Sequence, residues 1–193
     1  EGMKLERKIF LDLRRSDQAL ALRHIFFAER GAKIPSDLKP EMKTLNHVAV
    51  VGGGTMGAAI AYAFLNAGAK VVVLETDDDG IARASTKIEA LISTGLSLGQ
   101  IDETAANARR NQLTLTTDYQ DLGGVDLAIE AVFEDGFVKQ SVLQLLETAL
   151  PPDAVIATNT SYLDVNMLAA TLADPSRLVG LHFFAPAHIM KLL

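Results

Sequence analysis

An α/β fold built on a doubly wound parallel sheet and preceded by a helical linker segment is what this chain predicts, on three observations. From His47 onward, short apolar runs rich in β-branched residues alternate with helical patterns, the rhythm of a parallel sheet covered on both faces. The first run, His47-Val48-Ala49-Val50-Val51, leads into the glycine-rich turn Gly52-Gly53-Gly54-Thr55-Met56-Gly57. The second run ends in an acid, Glu75, 23 residues after Gly52.

The first 43 residues differ in kind from the rest. Ser16 is placed to cap a helix running from Asp17 to Arg30, with Gly31 stopping it. Its apolar residues Leu20, Leu22, Ile25, Phe26 and Phe27 form too broad a face to leave in water. That face is expected to dock on another surface, in this chain or in a neighbouring module. Pro35 and Pro40 bracket a polar connector, which reads as a domain boundary. The expected division is a helical linker over 1–43 and an α/β domain over 44–193.

After the glycine turn, a helix is expected from Ala58 to Asn66, closed by Gly68, and then a strand over Lys70–Leu74. A long helix over Asp79–Leu98 and a shorter one over Glu103–Asn111 precede a brief strand at Leu113–Thr116. The fourth strand, Val125–Glu130, leads to a helix from Phe137 to Leu150 that Pro151-Pro152 stops. A fifth strand at Ala154–Thr158 and a short helix at Asp164–Leu172 follow. The sixth strand is expected over Arg177–Phe184, closed by Pro186. Six strands with the turn after the first suggest the order 3-2-1-4-5-6.

In a G-x-G-x-x-G turn of this kind each glycine has its own work. Gly52 permits the tight turn, Gly54 lets the backbone approach a pyrophosphate, and Gly57 lets helix and strand pack closely. The helix start, with Thr55 and Met56, presents free N–H groups and partial positive charge to phosphates. Glu75 falls near the spacing of about 20 residues for the acid that binds the adenosine ribose. A structural strand–turn–helix with a solvated acid would need only part of this pattern. Strand, glycines, helix, strand and acid in this order point to a Rossmann-type dinucleotide site. A carboxylate at position 75 would repel a 2′-phosphate, which favours NAD over NADP.

Composition narrows the rest. The first 43 residues hold ten Lys/Arg against seven Asp/Glu, leaving eight against seventeen in the main body. So acidic a body argues against a nucleic-acid or anionic-membrane surface. The chain has no cysteine, which removes disulfides, thiolate catalysis and cysteine metal sites together, and it fits a reducing compartment. No apolar run approaches a membrane span, and Glu1–Phe10 is too charged for a signal peptide. The lack of an initiator Met suggests a piece of something longer. No His/Asp/Glu cluster has metal-ligand spacing, and no G-x-S-x-G elbow occurs.

Ligands of such sheets bind beyond the carboxyl ends of the strands. There the fourth strand delivers Glu130 and then Glu134, the fifth Asn159, Thr160 and Ser161, and the sixth His182. Oxidising an alcohol by hydride transfer needs a base for the hydroxyl proton, a task for a neutral imidazole. A nearby hydroxyl or amide can hold the substrate oxygen or the nicotinamide ribose. Plainer readings stand beside these: a core histidine, a helix-capping Asn-Thr-Ser turn, a solvated Glu134–Lys139 pair. Convergence at one sheet edge beside the cofactor turn weighs for function. His24, His47 and His188 lack such company and read as structural or surface residues.

Taken together, Gly52-Gly53-Gly54-Thr55-Met56-Gly57, Glu130-Ala131-Val132-Phe133-Glu134, Thr158-Asn159-Thr160-Ser161, Leu181-His182-Phe183-Phe184 with Pro186, and Met190-Lys191-Leu192 resemble the NAD-binding domain of L-3-hydroxyacyl-CoA dehydrogenases. The resemblance covers about Leu45 to Leu193. The segment Ala21–Arg30 resembles the linker of multifunctional fatty-acid β-oxidation enzymes, where it follows an enoyl-CoA hydratase module. The resemblance implies that His182 is the general base and that Ser161 lies between substrate oxygen and cofactor. It implies that Glu134 and Lys139 contact NAD, that Glu75 replaces the family's usual Asp, and that Asn159 shapes the nicotinamide side. Ala185 departs from the family's usual Asn. The family also pairs its histidine with a glutamate just after Met-Lys-Leu, the point at which this chain ends.

The expected function is therefore the NAD-binding domain of an oxidoreductase that converts L-3-hydroxyacyl-CoA to 3-ketoacyl-CoA in β-oxidation. The resemblance implies an acyl-CoA substrate, neighbouring hydratase and C-terminal helical domains, and homo-oligomerisation. A chain lacking the histidine's partner and half the substrate cleft is expected to bind NAD and turn over slowly. The compartment expected is the cytoplasm, or peroxisome or mitochondrion in a eukaryote. Two alternatives stay open: a dehydrogenase of another 3-hydroxy acid, and a non-catalytic NAD-binding module.

Overall fold

The computed structural model describes residues 1–32, 44–190 and 192–193. The connector with Pro35 and Pro40, and Lys191 of the Met-Lys-Leu motif, lie outside the described residues. The chain divides into two units, Glu1–Lys43 and Thr44–Leu193.

In the first unit, α1 (Gly2–Arg14) precedes α2 (Asp17–Gly31). The sequence gives no start signal for α1: Leu5, Ile9 and Leu13 keep helical spacing, but no side chain caps its first turn. Ser16 caps α2 as expected. Its Oγ accepts from Ala19 N–H at 3.2 Å and donates to the Leu13 carbonyl at 2.7 Å, closing α1 and opening α2 with one hydroxyl. On α2, Phe26 and Phe27 meet edge to face at 5.4 Å, and the Arg30 guanidinium lies 4.2 Å from the Phe26 ring centre. Leu20, Leu22, Ile25, Phe26 and Phe27 are all exposed.

The second unit is one six-stranded parallel sheet in the expected order β3-β2-β1-β4-β5-β6. Its strands are β1 (His47–Val51), β2 (Lys70–Leu74), β3 (Leu113–Thr116), β4 (Leu127–Glu130), β5 (Val155–Thr158) and β6 (Leu178–Gly180). Alternation along the central strands sorts side chains between two cores. Val48, Val50, Val71, Val73, Leu127 and Ile129 face α3 (Thr55–Asn66), α4 (Asp78–Ser97) and α5 (Glu103–Gln112). Ala49, Val51, Val72, Leu74 and Ala128 pack with Leu143 and Leu146 of α6 (Gly136–Ala149) and Leu168 of α7 (Val165–Ala169). With both faces covered, the strands need apolar residues throughout rather than alternating polarity, as their composition shows.

Several helices open on an aspartate cap. Asp77 accepts from Gly80 N–H, Asp102 from Ala105, Asp135 from Phe137 and Val138, and Asp164 from Asn166. Each such cap is worth about 1 kcal/mol and fixes where its loop ends. Two expectations need correction. The helix expected over Asp164–Leu172 is only Val165–Ala169, because Thr171 and Leu172 N–H bond three residues back and tighten the last turn. The strand expected over Arg177–Phe184 is only Leu178–Gly180, so His182 stands on the loop after β6. Its partner β5 ends at Thr158, which pairs with Gly180, and no backbone remains for a longer ladder.

Candidate active site

At the carboxyl end of β1 the chain turns through Gly52 at φ +95°, a conformation that L side chains rarely adopt. A Cβ on Gly57 would stand 1.7 Å from the Gly52 carbonyl oxygen, so only glycine lets α3 sit this close to the turn. A Cβ on Gly54 would meet nothing within 4 Å. The turn is thus crowded where it packs on protein and open at its middle glycine. Gly54 begins α3, and the N–H groups of Thr55, Met56 and Gly57 in its first turn have no intrahelical acceptor. That arrangement fits the pyrophosphate of a dinucleotide.

Glu75 leaves β2 beside this turn, and its Oε1 accepts from Gly53 N–H at 2.6 Å. A cavity of about 350 Å³ opens next to it, with Gly52, Glu75, Thr76, Tyr119, Val132 and Leu145 among its lining residues. Its walls are largely apolar, suited to a planar base, and a carboxylate stands at its rim. Burial pushes the Tyr119 phenol up from its ordinary value.

Across the switch between β1 and β4 lies a buried polar network. Glu130 ends β4 fully buried. Its Oε1 accepts from Lys139 Nζ at 2.7 Å and Val132 N–H at 2.8 Å, and its Oε2 accepts from Thr158 Oγ1 at 2.7 Å. Lys139, from α6, is 1% exposed, and its ammonium also reaches Glu134 Oε2 at 3.1 Å. Glu134 Oε1 in turn accepts from Thr160 Oγ1 at 2.6 Å and Ser161 N–H at 2.7 Å. Burial works to raise the Glu134 carboxyl. The bonds from Thr160, Ser161 and Lys139 outweigh it and hold the group below the usual carboxylate range.

The sequence pattern left Glu134 and Lys139 open between a solvated pair and cofactor contacts. Solvation does not describe Lys139: it lies beneath the site with its ammonium bonded to Glu130, Glu134 and the Val132 carbonyl. Its reach toward a ligand runs through Glu134.

The loop after β6 is tied to the same place. Asn159 Oδ1 accepts from Phe183 N–H at 2.9 Å, and the Leu181 N–H donates to the Thr158 carbonyl at 3.0 Å. These two bonds flank His182 and hold it to the turn that carries Thr160 and Ser161. The His182 ring meets Phe184 edge-on at 4.8 Å, and its Nδ1 is buried without a hydrogen-bond partner among the described residues. Ser161 is exposed.

A second groove, of about 460 Å³, runs from Thr55 and Met56 past Lys87, Leu91 and Thr94 of α4 to Ala185, Pro186 and His188. His188, read from the sequence as a structural or surface residue, lines it with its ring edge-on to Tyr62 at 5.3 Å. Only the fold reveals that position, because the residues facing His188 come from α3 and α4.

Glycine turn, strand-end acid and the polar edge of β4, β5 and β6 together define a nicotinamide-dinucleotide domain of the dehydrogenase class. The particular family follows from comparison. Residues 47–193 match the family of the 3-hydroxyacyl-CoA dehydrogenase NAD binding domain, and the chain belongs to that family. Its cofactor is NAD. The whole chain aligns at 38% identity over 198 residues with the peroxisomal bifunctional enzyme of Homo sapiens. It aligns at 37% over 195 residues with the peroxisomal fatty acid beta-oxidation multifunctional protein of Oryza sativa. The chain spans 27% of the length of each of these relatives.

Among solved structures, 3-hydroxybutyryl-CoA dehydrogenase from Escherichia coli K12 superposes with a TM-score of 0.74 at 34% identity, covering 77% of this chain and 32% of that one. The dehydrogenase part of multifunctional enzyme 1 from C. elegans does so with a TM-score of 0.72 at 32% identity, covering 82% and 37%. Among the described residues, no helix is long and apolar enough to cross a membrane.

Proposed function

We propose that this domain serves, in a longer protein, to oxidise an L-3-hydroxyacyl-CoA to the 3-ketoacyl-CoA with His182 as base. The observation that carries the reading is the bond from Phe183 N–H to Asn159 Oδ1, which clamps the His182 loop to the Ser161 turn. On this reading Gly52, Gly54, Thr55, Met56 and Gly57 hold the pyrophosphate. Glu75 takes the adenosine ribose hydroxyls. Glu134 and Ser161, backed by Lys139 and Asn159, line the nicotinamide side.

NAD, when bound, supplies the acceptor for the hydride that leaves C3. His182 takes the hydroxyl proton at Nε2, so the C3–O bond becomes a carbonyl as the C3–H pair departs. For Nε2 to accept, the other ring nitrogen must carry the proton. A buried Nδ1–H without an acceptor costs about 1–3 kcal/mol; the glutamate implied by the family resemblance would satisfy it and hold the tautomer. On this reading the Ser161 hydroxyl donates to the substrate oxygen.

The relatives' names support a multifunctional β-oxidation protein as the parent; neighbouring hydratase and C-terminal helical domains and an acyl-CoA substrate are what the family resemblance implies. They favour a peroxisomal over a cytoplasmic setting. The test is turnover by the full-length protein with an acyl-chain series of 3-hydroxyacyl-CoA substrates and NAD. His182→Ala is expected to lower kcat by at least about 100-fold, the lower end of what a general base supplies, and to leave NAD affinity in place. Unchanged turnover would return the site to a non-catalytic NAD-binding module.

A further inference from the structure

Glu130 and Lys139 form an ion pair 0% and 1% exposed, yet neither side chain opens onto the surface where a ligand would lie. Ion pairs this deeply buried stabilise a fold no better than hydrocarbon of the same volume, because desolvation offsets their attraction. What such a pair does well is fix geometry. The route here is continuous: Glu130 holds the ammonium at 2.7 Å, the ammonium reaches Glu134 at 3.1 Å, and Glu134 holds Thr160 Oγ1 at 2.6 Å and Ser161 N–H at 2.7 Å. Thr160 Oγ1 also accepts from Leu163 N–H at 3.0 Å, which closes the turn.

We propose that Glu130 is a positioning residue for the nicotinamide side of the site, acting through Lys139 and Glu134 on the Thr160–Ser161 turn. The proposal rests on the assignment of Glu134 and Ser161 to that side made above. Two carboxylates share one ammonium, and the shorter contact goes to the deeper carboxylate. Glu134 therefore keeps its Oε1 for the turn and 27% of its side chain for the surface. Without charge on Glu130, the ammonium has one carboxylate left, draws Glu134 inward and releases the turn.

The test is calorimetric titration of this chain with NAD and, separately, with ADP, which carries the adenosine and pyrophosphate but no nicotinamide riboside. Glu130→Gln keeps the shape and removes the charge. It is expected to weaken NAD binding about tenfold, the scale of one displaced charge-assisted hydrogen bond, with ADP affinity unchanged. Unchanged NAD affinity, or equal loss for both ligands, overturns the proposal.

Should Glu130→Gln fail to fold, the double variant Glu130→Gln/Lys139→Met removes the buried pair together and cuts the route at the ammonium, so that Glu134 loses its link to the interior instead of being drawn inward. It must show the same loss confined to NAD, and wild-type NAD affinity in it also overturns the proposal. A wild-type chain that binds ADP but gains nothing from the nicotinamide half removes the site assignment and the proposal together. A wild type that gains affinity from that half, with Glu130→Gln unaffected, sinks this proposal alone.

Discussion

Glu75 and Gly80 leave no room for a methyl group between them: a Cβ on Gly80 would stand 2.8 Å from Glu75 Oε2. Glutamate is one methylene longer than aspartate, and that space lets its carboxylate fold back on the Gly53 N–H at 2.6 Å. Gly80 lies in the first turn of α4, where alanine is the better helix former by about 1 kcal/mol. Gly80→Ala therefore opposes helix preference to carboxylate placement. The expected outcome in a titration is an NAD Kd raised about fivefold to tenfold, the loss of roughly one hydrogen bond. Unchanged affinity would count against a role for the Glu75 carboxylate in holding NAD.

Gly54 and Gly57 should separate binding from stability. Gly57→Ala places a Cβ 1.7 Å from the Gly52 carbonyl, an overpacking expected to cost about 1–3 kcal/mol and visible as a lower Tm. Gly54→Ala meets no protein atom within 4 Å, so its Tm should stay near wild type while NAD affinity falls. Equal Tm losses in the two variants would contradict this division of labour.

Asn159→Ala removes the acceptor of the Phe183 N–H. The His182 loop then loses its side-chain anchor while the Leu181–Thr158 backbone bond remains. In the full-length protein, kcat is expected to fall about tenfold or more, since a 1 Å misplacement of a reacting group can cost about 100-fold. NAD affinity should change far less. A variant with wild-type kcat would mean that the loop is held by its packing alone.

The Glu134 carboxyl is held below its ordinary value by Thr160, Ser161 and Lys139 against the opposing effect of burial. A carboxylate depressed in the folded state stabilises the fold above its unfolded pKa of about 4.3 and ceases to do so as pH falls through the lower folded value. Glu134→Gln should therefore lower Tm at pH 7, and the gap from wild type should close on acidification below about pH 4. A gap that stayed constant through that range would assign the loss to shape rather than charge.

Much of the fold was legible in local pattern. Ser16, the glycine turn and the β-branched runs each act within a few residues, through capping, backbone freedom and alternation, and their elements stand close to where those rules put them. The two errors have different causes. The sixth strand stopped at Gly180 because β5 ends at Thr158, a limit imposed by a partner and invisible in the strand itself. Helix α1 carries apolar residues at helical spacing but no capping side chain to mark its start.

The chain by itself determined the parallel sheet, its order, the glycine turn and the acid that follows, because each rests on periodicity or on the chemistry of adjacent residues. Only the tertiary structure decided that Lys139 is buried beneath the site, that Glu130 holds it, and that Asn159 tethers a loop 24 residues away. Those are contacts of strand ends with a helix and a loop, which meet only after the sheet has formed. Burial then turns ordinary polar side chains into an obligatory network, since each group withdrawn from water must find its partner inside.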